Sequence, residues 1–265
     1  MARAFVTGGS GFVGRALIRA LVDRGDVVVA LARSDGAAAA VRAAGAEAAR
    51  GDLDGREAMA GAMRGCDVVF HAAAKVEDWG SREDFMRVNV AGTANALEAA
   101  KMAAVRRFVH IGTEAAFVDG SALAHIDESR PLPTSWLGLS PETKARADAL
   151  VRAATGIEAM VVRPRFIWGH GDTSLLPKIA DAAAKGKLRW IGGGRYPTST
   201  CHIANVVEGA LLAAERGAPG AIYFLTDGEP TELRGFVTAM LATQGVDAGT
   251  REVPRWLARA AAEGH

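Results

Sequence analysis

The chain has 265 residues, of which 49% are hydrophobic and 23% charged, with 31 Lys and Arg against 30 Asp and Glu. A chain of this length can bury a large core in one or two domains, and its composition excludes a disordered or collagen-like protein. The net charge of +1 gives no reason to expect nucleic acid or an anionic membrane surface as a partner.

Residues 4–7 form a short apolar run, followed by a glycine-rich turn and a helical pattern over about 12–24. Residues 27–32 are continuously apolar, as expected of a strand buried on both faces. Alanine-rich helical segments follow at 37–44 and 56–63, then a strand at 67–72, a long helix at 83–103 and a strand at 107–112. A helix at 142–154 and a strand at 159–163 complete an alternating pattern, which predicts an α/β fold with a doubly wound parallel sheet. Beyond Arg163-Pro164 the pattern is less regular, with helices at 175–185, 204–215, 232–243 and 254–262 and a strand at 221–225. The expected division is a dinucleotide-binding domain over 1–165 and a small substrate lobe over 166–265, partly interleaved with it. Cys66 and Cys201 have no metal-ligand spacing and read as buried thiols. The scattered histidines lack carboxylates at ligand spacing, so no metal is expected. No apolar run approaches the roughly 20 residues of a membrane helix, and the N-terminus lacks a secretion signal. A cytoplasmic protein without a membrane partner is expected.

Thr7-Gly8-Gly9-Ser10-Gly11-Phe12-Val13-Gly14 joins the first strand to the first helix, with Gly8, Gly11 and Gly14 in a GxxGxxG spacing. Such a turn lets the backbone approach a pyrophosphate, while the N–H groups and dipole of the helix start face its charge. The position after a strand and before a helix supports this reading over that of a plain tight turn. An acidic residue about 20 positions further on would select NAD through the ribose 2′-hydroxyl. Here the second strand ends at Ala32, followed by Arg33 and Ser34, which suit a 2′-phosphate. NADP is therefore expected ahead of NAD, the other reading of Arg33 being a solvated loop cation.

With these residues the chain resembles the extended short-chain dehydrogenase/reductase superfamily, in its NAD(P)-dependent epimerase/dehydratase and hydroxysteroid-dehydrogenase-like branch. Gly51-Asp52-Leu53 is similar to the adenine-contacting segment, and Phe70-His71-Ala72-Ala73-Ala74 to the small-residue run along the cofactor. Val88-Asn89-Val90-Ala91-Gly92-Thr93 resembles the long-helix motif in which Asn89 supports the active-site backbone. The stretch from Arg163-Pro164 to Gly169-His170-Gly171-Asp172 resembles the segment crossing the nicotinamide end. Cys201-His202-Ile203-Ala204-Asn205-Val206 is similar to a later family segment, with Ala204 where an Asp is usual. The resemblance implies a Rossmann sheet and a nicotinamide cofactor. It also implies a homodimer through the long helix and the helix after Glu142. Extended members usually run past 300 residues, so the substrate lobe is expected to be shortened.

The family's catalysis uses a Ser or Thr with a Tyr-x-x-x-Lys motif. Thr113 stands at the Ser/Thr position and Lys144 matches the Lys, but Ser140 occupies the Tyr position. The chain's only tyrosines are Tyr196 and Tyr223. A phenol of pKa about 10 can be pulled towards neutrality by an ammonium group, whereas a serine hydroxyl is shorter and far less acidic. Loss of a positioned general acid costs about 10²–10⁴-fold, or roughly 3–5 kcal/mol of barrier. The residues thus point to an impaired NADP-dependent oxidoreductase acting between a ketone and a secondary alcohol. Two alternatives are a non-catalytic NAD(P)-binding sensor or scaffold, and an engineered Tyr-to-Ser variant that traps substrate. The missing acid would be a water, a substrate group or another residue, with Tyr196 and His202 as candidates. Glu114 would qualify if buried, the other reading being a helix-capping or solvated role. Trp79, Trp136, Trp168 and Trp190 fall in segments expected to border the pocket, which favours an apolar or ring-containing substrate.

Overall fold

The computed structural model describes residues 1–75, 80–121, 123 and 126–258, so Trp79 and the end of the last helical pattern lie outside the described residues. The chain divides into two compact units. The first comprises Met1–Arg165 and Ile203–Leu225, the second Phe166–His202 and the chain from Thr226 on.

The first unit holds a seven-stranded parallel sheet. Its strands are β1 (Arg3–Thr7), β2 (Val27–Ala32), β3 (Glu47–Arg50), β4 (Val68–His71), β5 (Arg107–Ile111), β6 (Glu158–Pro164) and a last strand at Ile222–Leu225. The spatial order is β3-β2-β1-β4-β5-β6, then the last strand. The apolar runs form strands because successive side chains alternate into two cores. Ala4, Val6, Val28 and Ala30 pack with Leu17, Ile18 and Leu21 of helix α1 (Phe12–Asp23) and Val41 of α2 (Asp35–Ala43). Phe5, Val29, Val69 and Phe108 pack on the other face. There they meet Met59 and Met63 of α3 (Arg56–Met63), Leu97 of α5 (Gly92–Met102) and Val151 of α6 (Leu139–Arg152). The doubly wound sheet expected from the sequence is therefore present.

Two local features depart from expectation. β3 was not anticipated, because Glu-Ala-Ala-Arg has no β-branched or aromatic residue; it forms by pairing onto the edge of β2. The long helix is also not uniform. It begins as α4 (Arg82–Phe85), passes through a π-helical segment at Met86–Ala91 and continues as α5. Such a segment often marks a functional position, and Asn89 is its buried residue.

The second unit contains short strand pairs and helices at Leu176–Ala184 and Leu233–Ala242 around a core of Trp190, Val237, Leu241 and Ala248. Both cysteines are buried and unbonded, and burial pushes the Cys201 thiol up to about 12, aided by Asp227. No helix among the described residues is long and apolar enough to cross a membrane.

Candidate active site

The strand order reverses between β1 and β4, and in a doubly wound sheet the crevice beyond the strand ends at that point receives the ligand. The glycine turn occupies this position. Gly8 has φ +68°, and a Cβ there would stand 2.7 Å from the backbone of Ala72 and Ala73. A Cβ on Gly14 would run into the Gly8 carbonyl oxygen, to which the Gly11 N–H donates at 3.0 Å. Gly11 is the N-cap of α1 and supplies no side-chain cap, so no side chain competes for the N–H groups of the first turn at Phe12, Val13 and Gly14. A cradle without side chains, at the positive end of a helix, fits a dinucleotide pyrophosphate. Ala72 and Ala73 are half-buried beside it and Ala74 is exposed.

At the end of β2, Arg33 and Ser34 are both exposed. The Ser34 hydroxyl caps α2 by accepting from the Ala37 N–H at 3.2 Å. Arg50, which sequence reasoning missed, pairs in register with Ala32 from β3 and makes a 3.2 Å ion pair with Asp35. Its signal in the sequence was hidden because β3 itself was not recognised. Asp52 is exposed and its carboxylate accepts from the Leu53 N–H at 2.7 Å, while the buried Leu53 accepts from Asn95 through its carbonyl at 2.9 Å.

A buried hydrogen-bond chain runs from this turn to α6. The Ala73 N–H donates to Thr7 Oγ1, 3.3 Å away, and Thr7 Oγ1 is 2.8 Å from His71 Nδ1. His71 Nε2 is 3.0 Å from Thr93 Oγ1, which donates to the Asn89 carbonyl at 2.7 Å. The Asn89 amide accepts from the Lys75 N–H at 2.7 Å and donates to Thr143 Oγ1 at 3.0 Å. Thr143 donates to the Leu139 carbonyl at 2.8 Å, which fixes the first turn of the helix bearing Ser140 and Lys144. The amide orientation of Asn89 follows from its partners, since a backbone N–H can only donate and the Thr143 hydrogen is already used.

Thr113 follows β5 and caps the short turn Glu114–Phe117, its Oγ1 accepting from the Ala115 N–H at 3.2 Å. The Glu114 side chain is 6% exposed and pairs with Arg165 at 3.0 Å. Burial pushes its carboxyl above the usual range, against the pull of Arg165. Glu114 is thus buried, not a solvated surface group. Trp136 donates to the Ala116 carbonyl at 2.9 Å. Ser140 and Lys144 are half-buried one helical turn apart on α6, and Pro164 is buried at the end of β6. Beneath them lies a polar cluster that the sequence reading also missed. Asp148 of α6 accepts from Arg163 Nε at 2.7 Å and lies 3.3 Å from His110 Nε2.

Tyr196 and His202 belong to the second unit. The Arg255 guanidinium lies 5.6 Å from the Tyr196 ring centre, and the His202 ring packs edge-on against Trp168 at 4.7 Å. Trp168 donates to Asp227 at 2.7 Å. Trp190, expected at a pocket border, is instead 3% exposed in that unit's own core, because its indole N–H is satisfied by the Gly249 carbonyl at 3.0 Å.

Sheet order and glycine turn together define a doubly wound dinucleotide-binding fold, and the similarities that follow make it an oxidoreductase of the extended short-chain dehydrogenase/reductase type, served by a nicotinamide cofactor and a small-molecule substrate. The profile of the 3-beta hydroxysteroid dehydrogenase/isomerase family matches residues 5–255, and the chain belongs to that family. It is 52% identical over 262 residues to a 4-hydroxy-2-methyl-3-oxo-4-farnesyl-3,4-dihydroquinoline-1-oxide ketoreductase from Stigmatella aurantiaca, covering 98% of this chain and 78% of the relative. A 2-alkyl-3-oxoalkanoate reductase from Stenotrophomonas maltophilia is 36% identical over 256 residues, covering 92% of this chain and 76% of that protein. Among solved structures, a dTDP-glucose 4,6-dehydratase from Streptomyces venezuelae with NAD and TYD bound has a TM-score of 0.80 at 26% identity. That match covers 95% of this chain and 84% of the other.

Proposed function

We propose that this protein is an NADP-dependent reductase of a ketone on a bulky, apolar, ring-containing molecule. The observation that carries the reading is the side-chain-free cradle at the sheet's reversal, formed by Gly8, Gly14 and the backbone of Ala72 and Ala73. Gly8, Gly11, Phe12, Val13 and Gly14 hold the pyrophosphate, and the backbone of Ala72, Ala73 and Ala74 lies along the cofactor. Asp52 and Leu53 take the adenine, Arg33 and Ser34 the 2′-phosphate, Lys144 the nicotinamide ribose, and Pro164 flanks the nicotinamide. When bound, the reduced cofactor supplies hydride to the carbonyl carbon. Thr113 already accepts from Ala115, so its own hydrogen is available to orient and polarise the carbonyl oxygen. The relatives named for carbonyl reduction support this direction, and the farnesyl-bearing quinoline named for one of them supports an apolar substrate.

Ser140 is too short and too weakly acidic to replace a tyrosine. The oxygen therefore takes its proton from solvent through a water, directly or relayed by a hydroxyl of the substrate that the same water reprotonates. The ketone named for the Stigmatella relative carries such a hydroxyl on the carbon next to its oxo group. The second unit serves as the substrate lobe, and α5 with α6 forms a homodimer interface in the cytoplasm.

NADPH oxidation with that oxo-dihydroquinoline tests the reading, with the parent and Ser140→Tyr run side by side and NADH as control. The parent is expected to turn over, and the variant to be faster by about 10²-fold. A parent already as fast as the variant would show that another group supplies the proton. Tight NADPH binding with no turnover by either would favour a sensor or scaffold.

A further inference from the structure

We propose that Asp148 is a positioning residue whose buried carboxylate locks the ends of β5 and β6 to α6 and thereby shapes the nicotinamide end of the dinucleotide site. The inference rests on the assignment of Thr113, Lys144 and Pro164 to that end.

The geometry is local. The Asp148 side chain is 0% exposed and lies one turn after Lys144 on the same face of α6. Its Oδ2 receives Arg163 Nε at 2.7 Å, and Arg163 immediately precedes Pro164. Its Oδ1 is 3.3 Å from Nε2 of His110, on the strand that leads into Thr113. The same oxygen presses on the backbone beside Thr113: a Cβ on Gly112 would stand 2.6 Å from it and 2.9 Å from Val161 Cγ1. Only glycine lets β5 pass this close to the carboxylate, and the Gly112 N–H is tied to the Val162 carbonyl at 2.8 Å. The Arg163 guanidinium in turn faces the rings of Phe117 at 4.9 Å and Phe224 at 5.7 Å, and Phe117 closes the turn that Thr113 caps.

Stability alone does not account for this arrangement. A buried ion pair is often no more stabilising than an apolar substitute of similar volume, and among the described residues neither Arg163 Nη, nor Asp148 Oδ1, nor His110 Nδ1 finds a hydrogen-bond partner. What a carboxylate adds is directional: Oδ2 takes the Arg163 Nε–H of β6, while Oδ1, without a hydrogen bond of its own among the described residues, is wedged between His110 of β5 and the Gly112 backbone, which leaves α6 one register against both strands. Each nicotinamide-end group sits within about a turn of one of these anchor points. Among the described residues no hydrogen bond or ion pair joins Arg33, Asp52 or the turn 8–14 to Asp148.

The test compares affinities for NADPH and for ADP, a probe of the glycine turn and adenine end only. Asp148→Asn keeps the shape and can still accept from Arg163. It is expected to weaken NADPH on the order of tenfold while leaving ADP within about twofold, since the adenine end makes no contact with Asp148. Gly112→Ala, which keeps every charge and pushes on the same oxygen, is expected to show the same split and serves if Asp148→Asn does not fold. Parallel weakening of both ligands would indicate general damage and overturn the proposal, as would no change in either. Absence of ketone turnover in the parent would sink the proposed reaction but leave this binding comparison readable. A parent that binds no NADPH would sink both.

Discussion

The imidazole of His71 shows how far hydrogen accounting can determine a buried group. Thr93 spends its only hydroxyl hydrogen on the Asn89 carbonyl, so it must accept from His71 Nε2. His71 Nδ1 is then the acceptor, and Thr7 donates to it while accepting from the Ala73 N–H. The ring is neutral, because burial holds its pKa well below the ordinary 6.5, with the stacked His110 ring 5.4 Å away adding to the effect. A depressed folded value makes protonation favour the unfolded chain. Below about pH 6.5 the unfolded imidazole binds a proton that the folded one refuses, so stability falls as pH falls through that window. Urea unfolding between pH 5 and 7 should show this loss, and His71→Gln should flatten it by up to roughly 1.4 kcal/mol per pH unit. Equal slopes in both proteins would show that His71 does not titrate as argued. In the sequence this residue is legible only as part of a small-residue run, since its partners lie on two other elements.

At the scale of elements, the proposed choice of NADP over NAD rests on the ends of β2 and β3. Arg33 follows β2, and Arg50 registers opposite Ala32 from β3, where it is held by Asp35 at the start of α2. That pair is exposed and so weakly stabilising, which leaves Arg50 available to a phosphate. Arg33→Ser is expected to weaken NADPH against NADH by about 10-fold or more, the worth of a charged hydrogen bond. Asp35→Asn is expected to tighten NADPH by releasing Arg50. Fluorescence titration of both cofactors measures this, and an unchanged NADPH/NADH ratio in Arg33→Ser would count against NADP selection. The strand, turn and helix around Gly8–Gly14 could be read from the sequence because each carries a local signal in apolar run, glycine spacing and helical period. β3 could not, because its alanines favour no strand and only the exposed edge of β2 recruits them.

At the scale of the whole molecule, association is the open quantity that one measurement fixes. α5 and α6 leave Met102 and Leu150 exposed at 58% and 37%. Burial of such side chains across a twofold axis is the expected outcome. Sedimentation at micromolar concentration should return twice the chain mass, whereas a monomer mass would remove the proposed α5–α6 interface. The division into units also had to come from the structure. Helix Ile203–Arg216 and strand Ile222–Leu225 follow the irregular stretch in sequence, yet they return to complete the first unit's sheet and its core.

By itself the sequence determined the alternating α/β order and the glycine turn, and it is the source of the proposed roles of Thr113, Ser140 and Lys144. All of these rest on residues near one another in the chain, where period, spacing and turn chemistry act directly. Only the tertiary structure decided that His71 is a locked neutral tautomer, that Arg50 stands opposite Ala32 at the end of β2, and that Asp148 of α6 meets Arg163 of β6 beside His110 of β5. Each of these depends on partners far apart in sequence, meeting in a buried space where a polar group must find its hydrogen bond or bear the cost of desolvation.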